Sequence, residues 1–264
     1  MKIKRTLIGI IGVYTVICLL LYLIQEKLLF HPTKLSKDYT FLFNDEFEEV
    51  HLKAKDGTLL NALHFKSSSK KGVVLFFHGN GGAINGWGHT AKIYTENGYD
   101  VLYLDYRGYG KSEGSINSEF TLIEDCQLAY DYLKNDFDEK DIIISGTSVG
   151  TGIAAILAAR NNPQKLILNS PYSSLSTLII EKIKIVPKPI IKYQFETKKH
   201  LSQVKCPIYV IHGAQDKVIP IHHSLKLKEQ YEAIDLTILE KNGHNDITNS
   251  NEYLNKMNII LKSK

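Results

Sequence analysis

A chain of 264 residues has room for one sizeable domain with a short appendage, and not for two ordinary domains side by side. Its composition, 44% hydrophobic and 23% charged, is that of a globular chain with a large core and excludes the disordered and fibrous classes. The 32 basic and 28 acidic side chains leave a net charge of +4, too balanced to point to a nucleic-acid partner.

The first predicted element is a membrane segment. Residues 7–24 carry no charge and follow Lys2, Lys4 and Arg5, with Glu26 and Lys27 beyond. As a helix this run covers roughly 27–30 Å, the hydrocarbon thickness of a bilayer. A cleaved signal peptide has a shorter apolar stretch ending at a small-x-small site, and Tyr22-Leu23-Ile24-Gln25-Glu26 offers none. Residues 1–25 therefore read as a single-pass, uncleaved anchor. Lys27, Lys34 and Lys37 blur the charge asymmetry, but the leading basic cluster favours an N-in orientation with the main domain on the non-cytoplasmic side. Residues 26–46, with Pro32, read as a polar connector.

The soluble domain is expected over 47–264. Segments 49–52 and 59–65 flank Asp56-Gly57, a hairpin signal. Short apolar runs follow at 73–77, 101–104, 142–144, 166–168, 208–211 and 236–239, which suit strands buried on both faces of a parallel sheet. Helical spacing at 122–133, 153–160 and 253–261 alternates with them. The alternation predicts an α/β fold with a doubly wound, mostly parallel sheet, whose functional residues gather at the carboxyl ends of the strands. Cys18 lies in the apolar run, and Cys126 and Cys206 stand alone as small hydrophobes. The three form no disulfide framework and no zinc spacing.

Gly146-Thr147-Ser148-Val149-Gly150 joins the strand at 142–144 directly to a small-residue helix. Gly-x-Ser-x-Gly in that position is a nucleophile elbow, with glycines permitting the sharp turn. A second match, Gly110-Lys111-Ser112-Glu113-Gly114, lies away from its strand and precedes a polar stretch, so it reads as a loop. A serine hydroxyl needs a base. His244 follows the last strand, at the sheet's carboxyl edge, and is the candidate. His31, His51, His64, His89 and His200 read as solvated, and His222 and His223 as surface or rim residues opening a helix. The acid that orients the base is Asp216, past the penultimate strand; Asp246 is too close to His244 and reads as a loop or cap residue. Donors for a developing oxyanion are expected from the backbone amides of Asn80, in the turn His78-Gly79-Asn80-Gly81-Gly82, and of Val149. His78 reads as a brace for that turn.

These motifs, with Asp105-Tyr106-Arg107-Gly108-Tyr109-Gly110 and His212-Gly213-Ala214-Gln215-Asp216, fall in the order Ser, Asp, His and resemble the α/β-hydrolase superfamily from about residue 47 onward. The anchor followed by Lys27-Leu28-Leu29-Phe30-His31-Pro32 looks like the membrane-tethered ABHD type, a group with serine aminopeptidase-like and depalmitoylase-like branches. The resemblance implies serine-dependent ester or thioester hydrolysis without metal or organic cofactor, a supporting role for Arg107, and a short lid at about 171–200. Within the lid, 178–192 interleaves lysines with Ile and Val and reads as an amphipathic helix broken at the prolines, apolar side over the pocket. The expected partners are a small acyl ester or lipid-like substrate and the bilayer. The competing readings are a serine aminopeptidase-like peptidase, for which the lid offers only Glu181 and Glu196 to hold an ammonium, and a non-catalytic tethered binding module on a hydrolase scaffold.

Overall fold

The Val, Ile and Leu runs form the middle of a sheet in the computed structural model, which describes residues 2–263. The strands among these residues are β1 (His31–Pro32), β2 (Phe47–Lys53), β3 (Leu59–Phe65), β4 (Gly72–Phe77), β5 (Gly81–Gly82), β6 (Tyr99–Leu104), β7 (Ile142–Thr147), β8 (Lys165–Asn169), β9 (Ile208–Gly213) and β10 (Asp235–Leu239). Eight of them make one sheet in the order β10-β9-β8-β7-β4-β6-β3-β2. The pairs β2/β3 and β3/β6 are antiparallel and the rest are parallel. Every residue of β4, β6, β7 and β8 is buried, as strands covered on both faces must be. The Asp56-Gly57 turn closes the β2/β3 hairpin with Gly57 at φ +87°.

The chain steps from β4 to β6 on one side and returns to β7 on the other. Right-handed crossovers then divide the helices between the faces. Glu119–Leu133, Gly150–Arg160 and His222–Gln230 pack on one face, through Leu122, Ile153 and Leu227. Asn251–Lys262 and the short turns of 84–95 pack on the other, through Met257, Ile84 and Tyr94. The reversal opens a crevice at the carboxyl ends of β4 and β7.

The amino-terminal helix, Lys2–Leu29, has 28 residues and a most apolar window of mean hydropathy 2.7, long and apolar enough to cross a bilayer. It runs past residue 25 into the expected connector, because Gln25, Glu26 and Leu29 on its last turns pack against the domain. The rest of that connector is no loose linker. β1 pairs in parallel with β5, Phe41 is buried, and the Phe43 ring lies 5.1 Å from that of Phe65. Its average polarity conceals spaced aromatics at 39, 41 and 43 that bury against the sheet.

Within 178–192 the lid is α-helical only to Lys182, in a helix Leu175–Lys182 whose first turn Ser174 caps by accepting from the Thr177 N–H; a short helix, Thr197–Leu201, closes the insert. The first of these helices ends before the expected break at the prolines. Pro187 and Pro189 lack N–H donors and bar the following stretch from extending the helix; a short 3₁₀ turn forms instead at Lys188–Ile190.

The elbow depends on close packing. A Cβ at Gly150 would collide with the Phe77 and His78 carbonyls, whereas one at Gly86 would meet nothing within 4 Å. Gly150→Ala is therefore expected to cost about 1–3 kcal/mol in thermal or denaturant unfolding, and Gly86→Ala to stay within about 0.5 kcal/mol of the parent.

Candidate active site

Ser148 stands between β7 and the helix Gly150–Arg160 with φ +55°, a left-handed conformation that costs a non-glycine residue about 1–2 kcal/mol. Backbone bonds hold it there: Ser148 N–H donates to the Asn169 carbonyl (3.0 Å), and the Thr151 hydroxyl and N–H both donate to the Ser148 carbonyl (2.6 and 3.0 Å). The turn presents Oγ at the sheet's carboxyl edge, with the residue only 8% exposed.

The structure brings His244 and Asp216 to it. His244 Nε2 lies 3.0 Å from Ser148 Oγ, and His244 Nδ1 lies 2.7 Å from Asp216 Oδ2. An ionised Asp216 only accepts, so Nδ1 carries the imidazole proton and Nε2 is free to accept from the serine hydroxyl. Asp216 Oδ1 accepts from the Val218 and Ile219 N–H groups at 2.8 and 2.7 Å. Burial opposes its charge, but hydrogen bonds from His212, His244 and the Ile219 amide outweigh that and hold the carboxyl well below the usual range.

His212, which the sequence reading placed only within a motif, is fully buried. Its ring spans the Ser224 hydroxyl (Nδ1, 2.6 Å) and the Ile219 carbonyl (Nε2, 2.8 Å), with Nε2 3.4 Å from Asp216 Oδ2. It thus braces the turn that carries Asp216. The His244 loop leans on the same strand end: Gln215 N–H donates to the Asn242 carbonyl (3.0 Å) and Asp246 accepts from Gly243 N–H (2.7 Å), a loop role.

Val149, at the amino end of Gly150–Arg160, and Asn80 both line the crevice, and neither backbone N–H has a hydrogen-bond partner among the described residues. The Asn80 turn is fastened on all sides. The Asn80 carbonyl accepts from His31 N–H (2.9 Å) and the Tyr109 hydroxyl (2.7 Å), its side chain donates to the Leu29 carbonyl (3.3 Å), and Trp87 Nε1 donates to the Gly81 carbonyl (2.9 Å). His78 sits beneath the turn, fully buried, its carbonyl accepting from Tyr106 (2.8 Å). Its Nε2 lies 3.7 Å from Asp105, whose Oδ1 accepts from the Ile84 N–H at 2.9 Å. Burial pushes His78 down to about 4 and Asp105 up to about 8, so the pair is uncharged at neutral pH.

Ser148 opens on two cavities. The larger, about 510 Å³, is apolar and runs between the lid and the amino-terminal helix, with Leu21, Leu28, Leu178, Ile179 and Val186 among its walls. The smaller, about 240 Å³, lies on the His244 side beside Trp87, Asn245 and Ile247. Lys182 ties the lid to the acid loop by donating to the Lys217 carbonyl (2.7 Å).

Other candidates resolve differently. Arg107 points away from the crevice, gripping Asp125 and Asp56 and thereby joining the hairpin turn to helix Glu119–Leu133. His64, expected solvated, and His223, expected at the surface or rim, are both buried: His64 Nε2 lies 3.3 Å from Asp100, and His223 Nδ1 lies 3.0 Å from the Ser173 hydroxyl. Their partners come from distant segments, which local polarity does not reveal. Glu181, His222 and His223 bring possible metal-ligand atoms within 4.8 Å of one another, but Lys226 Nζ lies 3.7 Å from Glu181 and competes with a cation for the carboxylate. The contribution of Leu21, Gln25 and Leu29 to the site was missed; its signal was their spacing along one face of the anchor.

Comparison with known proteins finds relatives of the same fold. The family model described as serine aminopeptidase, S33, matches residues 68–196. An α/β hydrolase of Acanthamoeba polyphaga mimivirus is 28% identical over 232 residues, covering 84% of this chain and 87% of that protein. The lysophosphatidylserine lipase ABHD12 of Danio rerio is 30% identical over 200 residues, covering 65% of this chain and 49% of its own, so the chain spans about half the length of that relative. An esterase of Pyrococcus furiosus superposes with a TM-score of 0.69 at 18% identity, over 89% of this chain and 97% of that one.

Asp216→Asn keeps the shape but accepts less well from Nδ1–H and permits the other imidazole tautomer. Hydrolytic turnover is expected to fall by about 10³–10⁴ in kcat, and the thermal midpoint near neutral pH to fall as well, because the depressed Asp216 pKa stabilises the fold there. A second expectation concerns Asp105, whose folded pKa is raised above its unfolded value. Its contribution to stability is complete below about pH 4 and is lost as pH rises through about 8. Asp105→Asn should therefore melt increasingly above the parent as pH goes from 5 to 9.

Proposed function

The chain has the α/β-hydrolase fold, and from that premise we propose that it is a membrane-tethered serine hydrolase that cleaves carboxylic ester or thioester bonds through an acyl-enzyme. The observation that carries the reading is the unbroken hydrogen-bond chain Ser148–His244–Asp216, whose serine opens on an apolar cavity.

In this mechanism neutral His244 takes the Ser148 proton as Oγ attacks the acyl carbonyl, and the resulting imidazolium is stabilised by Asp216. The Asn80 and Val149 N–H groups receive the oxyanion, Val149 aided by the positive end of its helix. On collapse, Nε2–H delivers its proton to the leaving oxygen or sulfur, and water then repeats the sequence to free the acid. A general acid must reach the leaving atom, so the leaving group belongs in the smaller cavity beside His244 and the acyl group in the larger one. The lipid ester named for the vertebrate relatives is chemically of this kind.

The serine aminopeptidase family match favours a second reading, peptide hydrolysis from a free amino terminus. Against it, no carboxylate lines either cavity among the described residues, and Lys182 and Lys217 at the larger one repel an ammonium. Glu181 is already engaged with His222 and Lys226. A non-catalytic scaffold is disfavoured by the retention of all three polar side chains in bonding geometry.

Ser148→Ala in the full chain is expected to abolish p-nitrophenyl butyrate hydrolysis while the thermal midpoint holds, and an amino-acid anilide is expected to turn over at least a hundredfold more slowly than the ester. Undiminished ester turnover in the variant contradicts the assignment of the nucleophile; preference for the anilide supports the peptidase.

A further inference from the structure

The larger cavity has an unusual wall. One side is the lid, through Leu178, Ile179 and Val186; the other is the last turns of the amino-terminal helix, through Leu21 and Leu28. The two sides are fastened together by polar contacts. Gln25, 9% exposed, donates from Nε2 to the Ile190 carbonyl (2.7 Å) and accepts at Oε1 from the Lys192 N–H (2.9 Å). Glu26 accepts from Lys192 Nζ and the Tyr193 hydroxyl, both at 3.1 Å. Farther along the same helix, the Tyr14 hydroxyl donates to the Ile185 carbonyl at 3.0 Å.

Tyr14 lies in the middle of the uncharged stretch 7–24, so the lid tip sits beside the apolar centre of the helix. Ile183 and Ile185 at that tip are 43% and 57% exposed, while Lys184 between them is long enough to reach back towards the interface. The wall from Leu29, near Ser148, to Leu21 rises about 12 Å along the helix axis, in the direction of Tyr14. With the helix in a bilayer, the far end of the cavity therefore opens among lipid tails rather than into water.

We infer that the amino-terminal helix is a structural wall of the acyl-binding site as well as a tether, and that the site takes the long acyl chain of a lipid ester sideways from the bilayer. The inference rests on Ser148 being the acyl acceptor. Leu21 is then a specificity-determining residue that contacts the distal part of a long chain, out of reach of a butyryl group. Each methylene transferred from water to such a wall is worth about fourfold in binding.

The test uses the full chain in phosphatidylcholine vesicles and compares kcat/KM for p-nitrophenyl palmitate with that for the butyrate. Leu21→Trp is expected to lower the palmitate-to-butyrate ratio at least tenfold. Leu19→Trp, on the exposed side of the helix and outside the cavity, is expected to leave it within twofold. If Leu21→Trp fails to float with vesicles, Leu21→Ala replaces it, with an expected fall of at least threefold. An unchanged ratio in the variant that floats overturns the inference. Failure of the serine assignment is separate: it is read as butyrate hydrolysis persisting in Ser148→Ala, whatever Leu21 does.

Discussion

The left-handed turn at Ser148 is the constraint from which the rest of the site follows. Held at φ +55° by Asn169 and Thr151, it places the hydroxyl at the sheet edge and leads into the helix Gly150–Arg160, with Val149 lining the same crevice. One local distortion thus brings together the hydroxyl and the backbone amide that the proposed acyl-enzyme chemistry uses. Its cost is met by packing that only small residues allow: Gly150 lies against the Phe77 and His78 carbonyls, and a Cβ at Gly152 would collide with Tyr172.

Electrostatics around the turn are divided. Beside Ser148, the Asp216 carboxylate is kept ionised by donors from its own turn and two imidazoles, which suits a group that must stabilise a transient imidazolium. Beneath the Asn80 turn, His78 and Asp105 are more deeply buried, Asp105 finds one amide donor, from Ile84, and burial drives both to their neutral forms. The same two residue types therefore settle in opposite charge states, according to how deeply each is buried and how many hydrogen bonds it finds.

Much of this was legible in the sequence for identifiable reasons. Strands β4 and β7 are buried on both faces, so their runs are continuous and unmistakable; Ser148 follows β7, Asp216 follows the largely buried β9 and His244 follows the more exposed edge strand β10, where strand ends converge. What escaped notice depends on distant partners. His64, inside the apolar strand β3, and His223, beside polar residues at a helix start, are both buried, against Asp100 and Ser173 respectively. Phe41 and Phe43 pack from a stretch that averages polar, and the turns of 84–95 are broken by Gly86 and Gly88 into pieces too short for a helical period. Gln25 looked like the end of an apolar helix; its grip on the lid exists only because residue 190 folds back over 160 positions later. Hydrophobic periodicity reports burial within an element, and says little about which elements meet.

The most direct measurement is the site of covalent capture by a fluorophosphonate. Peptide mass spectrometry of the labelled full chain should find the adduct on Ser148, and labelling of Asp216→Asn should be slower by orders of magnitude at the same residue. Hydrolytic activity with no adduct there, or an adduct on another residue that tracks the loss of activity, would contradict the account.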